Sequence, residues 1–327
     1  MRSRVMVWGA TSHGSEILMP LPPSPKAEIG LRDRAALVGV LLMMGVGVIN
    51  AVDAVIVRLL AKEVHPFIIG LTRTSFGLLA MAPYILSRPA MLRTHYRFRH
   101  VLRAALKLAS LIAVFFALAT APLADVTSIG FAAPLFVTVG AWFFFSERPH
   151  PVRIFGVMLG FVGVVIVLRP DWSAGFTIST ALALALLGAL LTAVIQLMLK
   201  AMAKRDSADT LVAWNLIVSV PLAALPALLV WQNPSGYHWA LLAVQGAMGA
   251  LNQAMVTRAF QMADASLVAP IDFLRLPFVA ILAFAFFGEV AGMSTWAGAA
   301  IIFVATMVMA ATRRERPLPR DPDMPSS

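Results

Sequence analysis

Ten stretches of this chain are apolar enough, and long enough as helices, to cross the hydrocarbon core of a bilayer: 36–60, 66–86, 101–120, 124–145, 151–168, 177–199, 209–231, 239–260, 265–287 and 294–311. About 20 residues of helix suffice for one crossing. Several connections are only a few residues long, so consecutive stretches must turn back as hairpins. Strands are excluded, because a lone segment in lipid has to satisfy its own backbone. Composition points the same way: the chain is 60% hydrophobic and 13% charged, where about 25% charged is usual for a soluble domain. These features predict an all-α integral membrane protein of ten transmembrane helices.

Charge placement predicts its orientation. Arg88, Arg93, Arg97, Arg99 and Arg103 crowd the connection after the second span, while 231–246, in the matching place of the second half, has no Lys or Arg. With the N-terminus cytoplasmic, twenty of the 26 basic residues fall on the cytoplasmic side. Only Arg58, Lys62 and Arg169 fall outside, and Arg73, Lys107 and Arg275 lie within spans. Basic loops stay cytoplasmic, so both termini are expected there. Trp172, Trp231, Tyr237, Trp239 and Trp296 fall at expected outer ends, where amphipathic rings settle among headgroups. The net charge of +10 forms no continuous stripe, which argues against a nucleic-acid partner. Residues 1–34 lack the pattern of a signal peptide and, like 312–327, read as disordered cytoplasmic tails.

A shift of 142 residues aligns Arg58 with Lys200, Lys62 with Lys204, Ala121 with Ala263, Val126 with Val268, Glu147 with Glu289 and Gly156 with Gly298. It also superposes Phe144-Phe145 on Phe286-Phe287, while Pro134 and Pro277 miss the register by one. Each copy, 35–168 and 177–311, holds five spans. Five is odd, so the second copy must be inverted in the membrane, and inverted repeats frame a solute path near the midplane. The run ALATAPLADVTSIGFAAPLFVTVGAWFFFSERPHPVRIFGVMLGFVGVVIVLRP and its partner AFQMADASLVAPIDFLRLPFVAILAFAFFGEVAGMSTWAGAAIIFVA share one order. Small residues come first, then Pro, an aromatic run, Gly/Ser-Glu and a later Gly. This doubled pattern resembles the EamA-type half of the drug/metabolite transporter superfamily. The resemblance implies a multi-pass carrier of the bacterial cytoplasmic (inner) membrane, often an exporter of amino acids or related metabolites.

Charges retained in hydrocarbon are costly and mark functional candidates. Asn50 and Asp53 share a face of span 1. Asp53 is a candidate proton carrier or the partner of a basic residue on a neighbouring helix. Arg73 on span 2 reads as a structural pair, a snorkelling side chain or a substrate contact, and Lys107 on span 3 as one whose stem reaches the headgroups or as part of the solute path. Asp272 and Arg275, three apart on span 9, are expected to pair or to meet a solute carboxylate. Pro134 and Pro277 kink spans 4 and 9 as bends or gates. Gln245, Gly249 and Asn252 lie on one face of span 8 beside Gln253, with Gln196 on span 6 and Asn215 on span 7. Such amides bind solute or bridge helices. Gly156 and Gly160 permit close packing, within the bundle or at a dimer face; Glu147 and Glu289 end spans 4 and 9.

The chain has no cysteine, and its six histidines lie in tails, loops or span edges. No HExxH and no Gly-rich phosphate loop is present, so neither a metal nor another cofactor is expected. The sequence therefore reads as a non-enzymatic secondary carrier, monomeric or homodimeric. It works by alternating access on a small anionic or zwitterionic solute, with protons as the candidate coupling ion. A membrane-embedded enzyme acting on lipid, and a receptor or scaffold, are the alternatives.

Overall fold

The computed structural model describes residues 25–144, 150–169, 178–202, 205–262 and 271–311. All regular structure among them is helical: α1 Pro25–Leu60, α2 Pro66–Ser87, α3 Arg97–Thr120, α4 Leu123–Gly130, α5 Ala133–Phe144, α6 Pro151–Leu168, α7 Thr180–Met202, α8 Ala208–Leu229, α9 Gly236–Met262, α10 Arg275–Phe287 and α11 Met293–Ala311. Short 3-10 turns cover Pro89–Leu92 and Asp272–Leu274. Eight helical segments among the described residues are long and apolar enough to cross a membrane. They match eight of the ten expected spans. The 239–260 stretch does form one 27-residue helix, α9, but it is not among those eight because Gln245, Asn252 and Gln253 dilute its apolar face. Part of 265–287 lies outside the described residues, as does Glu147. The first helix begins at Pro25, inside the stretch expected to be tail. Proline is well suited to open a helix, and the following turns run unbroken into span 1.

Local chemistry sets the other boundaries. His65 and His150 cap α2 and α6 by accepting from Phe67 and Val152 N–H at 3.3 Å, each followed by a proline that opens the helix. Ser207 caps α8 through the Thr210 N–H. The expected continuous span 4 is instead broken into α4 and α5. Proline clashes with the carbonyl four residues back, which for Pro134 is that of Gly130, the last residue of α4. For Pro277 it is that of Phe273, inside the 3-10 turn that precedes α10. Both spans are therefore interrupted at the same relative place.

Contacts across the bundle repeat with the 142-residue offset. Ser110 on α3 bonds the Thr192 hydroxyl on α7 at 3.1 Å; adding 142 to one number and subtracting it from the other gives Asn252 and Asn50, which are also hydrogen-bonded. Phe131 and Phe273, themselves 142 apart, stack on one another at 4.2 Å. Gly163 and Gly298 bring α6 and α11 so close that a Cβ on either would meet the other's carbonyl oxygen, at 2.8 and 2.7 Å. The offset carries that pair to Ala305 and Gly156, where a Cβ on Gly156 would lie 3.2 Å from the Ala305 oxygen. Gly160 packs against Leu135, so both glycines of span 5 serve the bundle interior and not a dimer face.

Leu60, Ile68, Ile69, Leu123, Ile129 and Ile302 are fully buried, whereas Leu229, Phe143, Leu86 and Phe284 are left exposed on the outside. An apolar exterior of this kind requires lipid.

Candidate functional site

The two ends of the bundle are tied by polar networks, and a polar cavity lies between them. At the basic end, the 0%-exposed His100 stacks on Trp214 at 5.3 Å and meets Asp206 at 2.8 Å. Thr94 donates to the same carboxylate at 2.6 Å, and Arg103 donates to the Leu211 carbonyl. Burial alone would raise the Asp206 carboxyl. The hydrogen bonds from Thr94, His100 and the His95 N–H, with the charge of His100, outweigh it and hold the group below its ordinary 3.8.

At the opposite end, Glu289 pairs with Arg58 at 2.6 Å and accepts from the Leu123 N–H at 3.0 Å. Arg58 also donates to the Ala121 carbonyl and lies over the Phe287 ring. Beside this cluster Thr295 donates to Asp125, and Arg169 bonds the Thr295 hydroxyl at 2.9 Å. Arg169 ends α6 in the left-handed region at φ 45°, a conformation few non-glycine residues adopt; its guanidinium contacts hold it there.

Between the ends, α1, α3, α4, α7 and α10 enclose a cavity of about 280 Å³. Asn50 and Asp53 enter it from α1, Phe115 from α3, Thr127 from α4, Thr192 from α7 and Arg275 from α10. Gly130, at the break in span 4, is part of its wall. Asp53 takes both its oxygens to Nη1 of Arg73, at 2.6 and 2.8 Å. That guanidinium lies 6.0 Å from the centre of the Phe115 ring and close to Gly249. Arg275 does not pair with Asp272: no carboxylate is bound to it among the described residues. Its guanidinium is turned across the bundle, 4.8 Å from the centre of the Phe131 ring, and its Nε is buried without a hydrogen-bond partner.

Of the residues singled out in the sequence, Asn50, Asp53, Arg73, Asn252 and Arg275 thus converge on one place. Lys107 and Gln196 lie one turn beyond the cavity-lining Leu111 and Thr192, on the same helix faces. Gln245 is 0% exposed with neither amide atom bonded, and Asn215 is buried with Oδ1 unpartnered. Pro134 and Pro277 stand just past the two interruptions, and Asp272 occupies the 3-10 turn itself. Sequence reasoning missed Asp125 and Thr295, and also Phe115, Thr127 and Thr192. The offset could have found Thr192, since it is the partner of Asn50. A second hollow, of about 520 Å³, is lined entirely by apolar side chains of α2, α3, α7 and α8. It offers nothing to orient a polar solute. Among the described residues no cluster of His, Asp and Glu has the makings of a metal site.

The EamA-like transporter family matches the chain twice, over residues 37–169 and 179–311. The riboflavin transporter of Rhizobium johnstonii is 34% identical over 230 residues, covering 69% of this chain and 75% of that protein. The riboflavin transporter of Vibrio cholerae is 32% identical, over 76% of this chain and 85% of its own. The S-adenosylmethionine uptake transporter of Rickettsia felis is 29% identical, over 79% and 87%. A crystal structure of a protein 20% identical in sequence superposes with a TM-score of 0.57, covering 87% of this chain and 99% of that one, a likeness of fold.

Proposed function

Because the chain belongs to the EamA-like transporter family, we propose that it takes up a flat, hydroxylated heteroaromatic solute of the riboflavin kind, through the cavity between its two halves. The cavity itself carries this reading. It joins an aromatic face at Phe115 to the hydroxyls of Thr127 and Thr192, the amide of Asn50 and the guanidinium of Arg275. Solute sites commonly combine an apolar body with a few convergent polar groups.

Uptake replaces the export of an amino acid that the sequence resemblance suggested, since the relatives from Rickettsia are named uptake transporters. Between the solutes of the named relatives, charge favours riboflavin. Asp53 is already taken by Arg73, and Arg275 adds a positive charge to the wall. A cationic sulfonium such as S-adenosylmethionine would meet that charge, whereas an uncharged flavin would stack and hydrogen-bond.

The carrier works by alternating access between inverted halves, with ten spans and both termini cytoplasmic. The contacts that exchange under the 142-residue offset support a pseudo-twofold relation. On α6 and α11, Gly156 pairs with Ala305 and Gly163 with Gly298. Numbers rise on one helix as they fall on the other, so the helices are antiparallel and the axis relating them lies across them, in the membrane plane. The basic end then faces the cytoplasm, and the Arg58–Glu289 end faces outward. Protons remain the candidate coupling ion.

Flavin fluorescence tests the substrate class. Titration of riboflavin with the purified protein should give saturable quenching, weakened by Phe115→Leu and not competed by equimolar S-adenosylmethionine. Displacement by S-adenosylmethionine, or a flat titration, would overturn the assignment.

A further inference from the structure

Among the described residues five polar side chains line the cavity: Asn50, Asp53, Thr127, Thr192 and Arg275. Four of them are held by neighbours. Both oxygens of Asp53 go to Arg73, and Asn50 Oδ1 accepts from Asn252. Thr127 gives its hydroxyl hydrogen to the Leu123 carbonyl at 2.8 Å. Ser110 donates to the Gly188 carbonyl at 2.9 Å, so the Thr192 hydroxyl donates to Ser110. Arg275 alone has neither a hydrogen bond nor an ion pair among the described residues. The Phe131 ring lies against its guanidinium, and its Nε is closed off. Nη2 lies 3.8 Å from where a Cβ on Gly130 would stand, at the cavity wall. Helix-joining bonds follow the 142-residue offset, Asn50–Asn252 matching Thr192–Ser110. Arg275 does not follow it, because its place in the first half is held by Ala133. It is no part of the frame that the two halves share.

A guanidinium without partners is costly in a membrane domain, and an aromatic face offsets only part of that cost. The hydrogens still free in the cavity are those of Arg275 and of the Asn50 amide, so a solute must meet them with acceptors. We infer that Arg275 selects the solute by its ring edge, its forked N–H groups taking two adjacent, coplanar acceptors. A guanidinium matches such an edge as it matches a carboxylate, and a lysine cannot. This contact rests on the reading of the cavity as the solute site, and it narrows what that site accepts. An oxidised isoalloxazine offers the pattern twice, at N1 with O2 and at N5 with O4. The adenine of S-adenosylmethionine does not: its N1 and N7 each stand beside the N6 amino group, which would turn a donor toward the fork.

Analogues that each lack one ring acceptor test this. The purified full-length protein is titrated by calorimetry with riboflavin, 1-deazariboflavin and 5-deazariboflavin, in which a C–H replaces N1 or N5. One of the two analogues should bind the wild-type protein more weakly than riboflavin by about tenfold or more, as expected for a lost hydrogen bond to a charged donor. In Arg275→Gln, and in Arg275→Lys, which keeps the charge and loses the fork, riboflavin should fall to the level of that analogue. Both variants are first shown to be folded by their thermal melts, and the comparison of ligands on the wild-type protein requires neither. Equal binding of all three by the wild-type protein would overturn the contact. So would riboflavin affinity unchanged in both variants, or a preference among the three ligands that persists in them; either result leaves the flavin reading standing. A wild-type protein that binds none of the three would remove the flavin from the proposed function, and this contact with it.

Discussion

Asp53 and Arg73 show what single residues decide here. Both are largely withdrawn from solvent, and each is tolerable in a membrane only because of the other. Removing one partner of such a pair leaves a bare charge, at a cost of about 3 kcal/mol or more. Asp53→Asn should therefore lower the melting temperature, and the Asp53→Asn/Arg73→Gln double variant should recover part of the loss. Simple additivity in that cycle would deny the coupling. Asp206 gives a pH signature at the basic end. Its folded-state carboxyl lies below the unfolded value, so its contribution is complete above about pH 4 and is lost as pH falls through the folded value. Thermal melts should weaken across that acid range, and Asp206→Asn should flatten this part of the profile. Charges in lipid made Asp53, Arg73 and Arg275 legible from sequence. Their partners were not, because pairing is settled between helices: Arg275 turns to Phe131 and away from Asp272. Asp125 escaped notice because a carboxylate at the end of a span reads as hydrated.

At the scale of elements, hydropathy sufficed to place the eight strongest spans, because lipid imposes a length and an apolar surface. It gave no position for the interruptions. Pro134 and Pro277 announce them, but the carbonyls they displace lie four residues upstream, at Gly130, which lines the cavity, and at Phe273. Pro277→Ala should lengthen α10 toward Phe273 and slow transport while leaving binding largely intact; unaltered turnover would reduce the proline to a packing bend. The α6–α11 crossing depends on glycine in a different way. A side chain at Gly298 has backbone oxygen 2.7 Å from its Cβ, so the helices must separate. Overpacking of this kind costs about 1–3 kcal/mol. Gly298→Val should lower the melting temperature by that measure, and Gly236→Ala, where nothing lies within 4 Å of the new Cβ, should not.

For the whole molecule, the repeat was visible as a constant offset, and the same offset organises contacts that no periodicity revealed. The chain lacks cysteine, so single-cysteine variants report topology cleanly. In spheroplasts Gly236→Cys should react with an impermeant thiol reagent, and Arg93→Cys should react only after the membrane is opened; the reverse pattern would invert the orientation. The proposed transport is inward passage of a flavin-like solute through the cavity shared by the two halves. Uptake of radiolabelled riboflavin into proteoliposomes tests it most directly, with Thr192→Phe as the cavity-filling control. Saturable uptake is expected, competed by unlabelled riboflavin and abolished in a Thr192→Phe protein that remains folded and monodisperse. Uptake no greater than in protein-free liposomes, or uptake undiminished by the filled cavity, would contradict it.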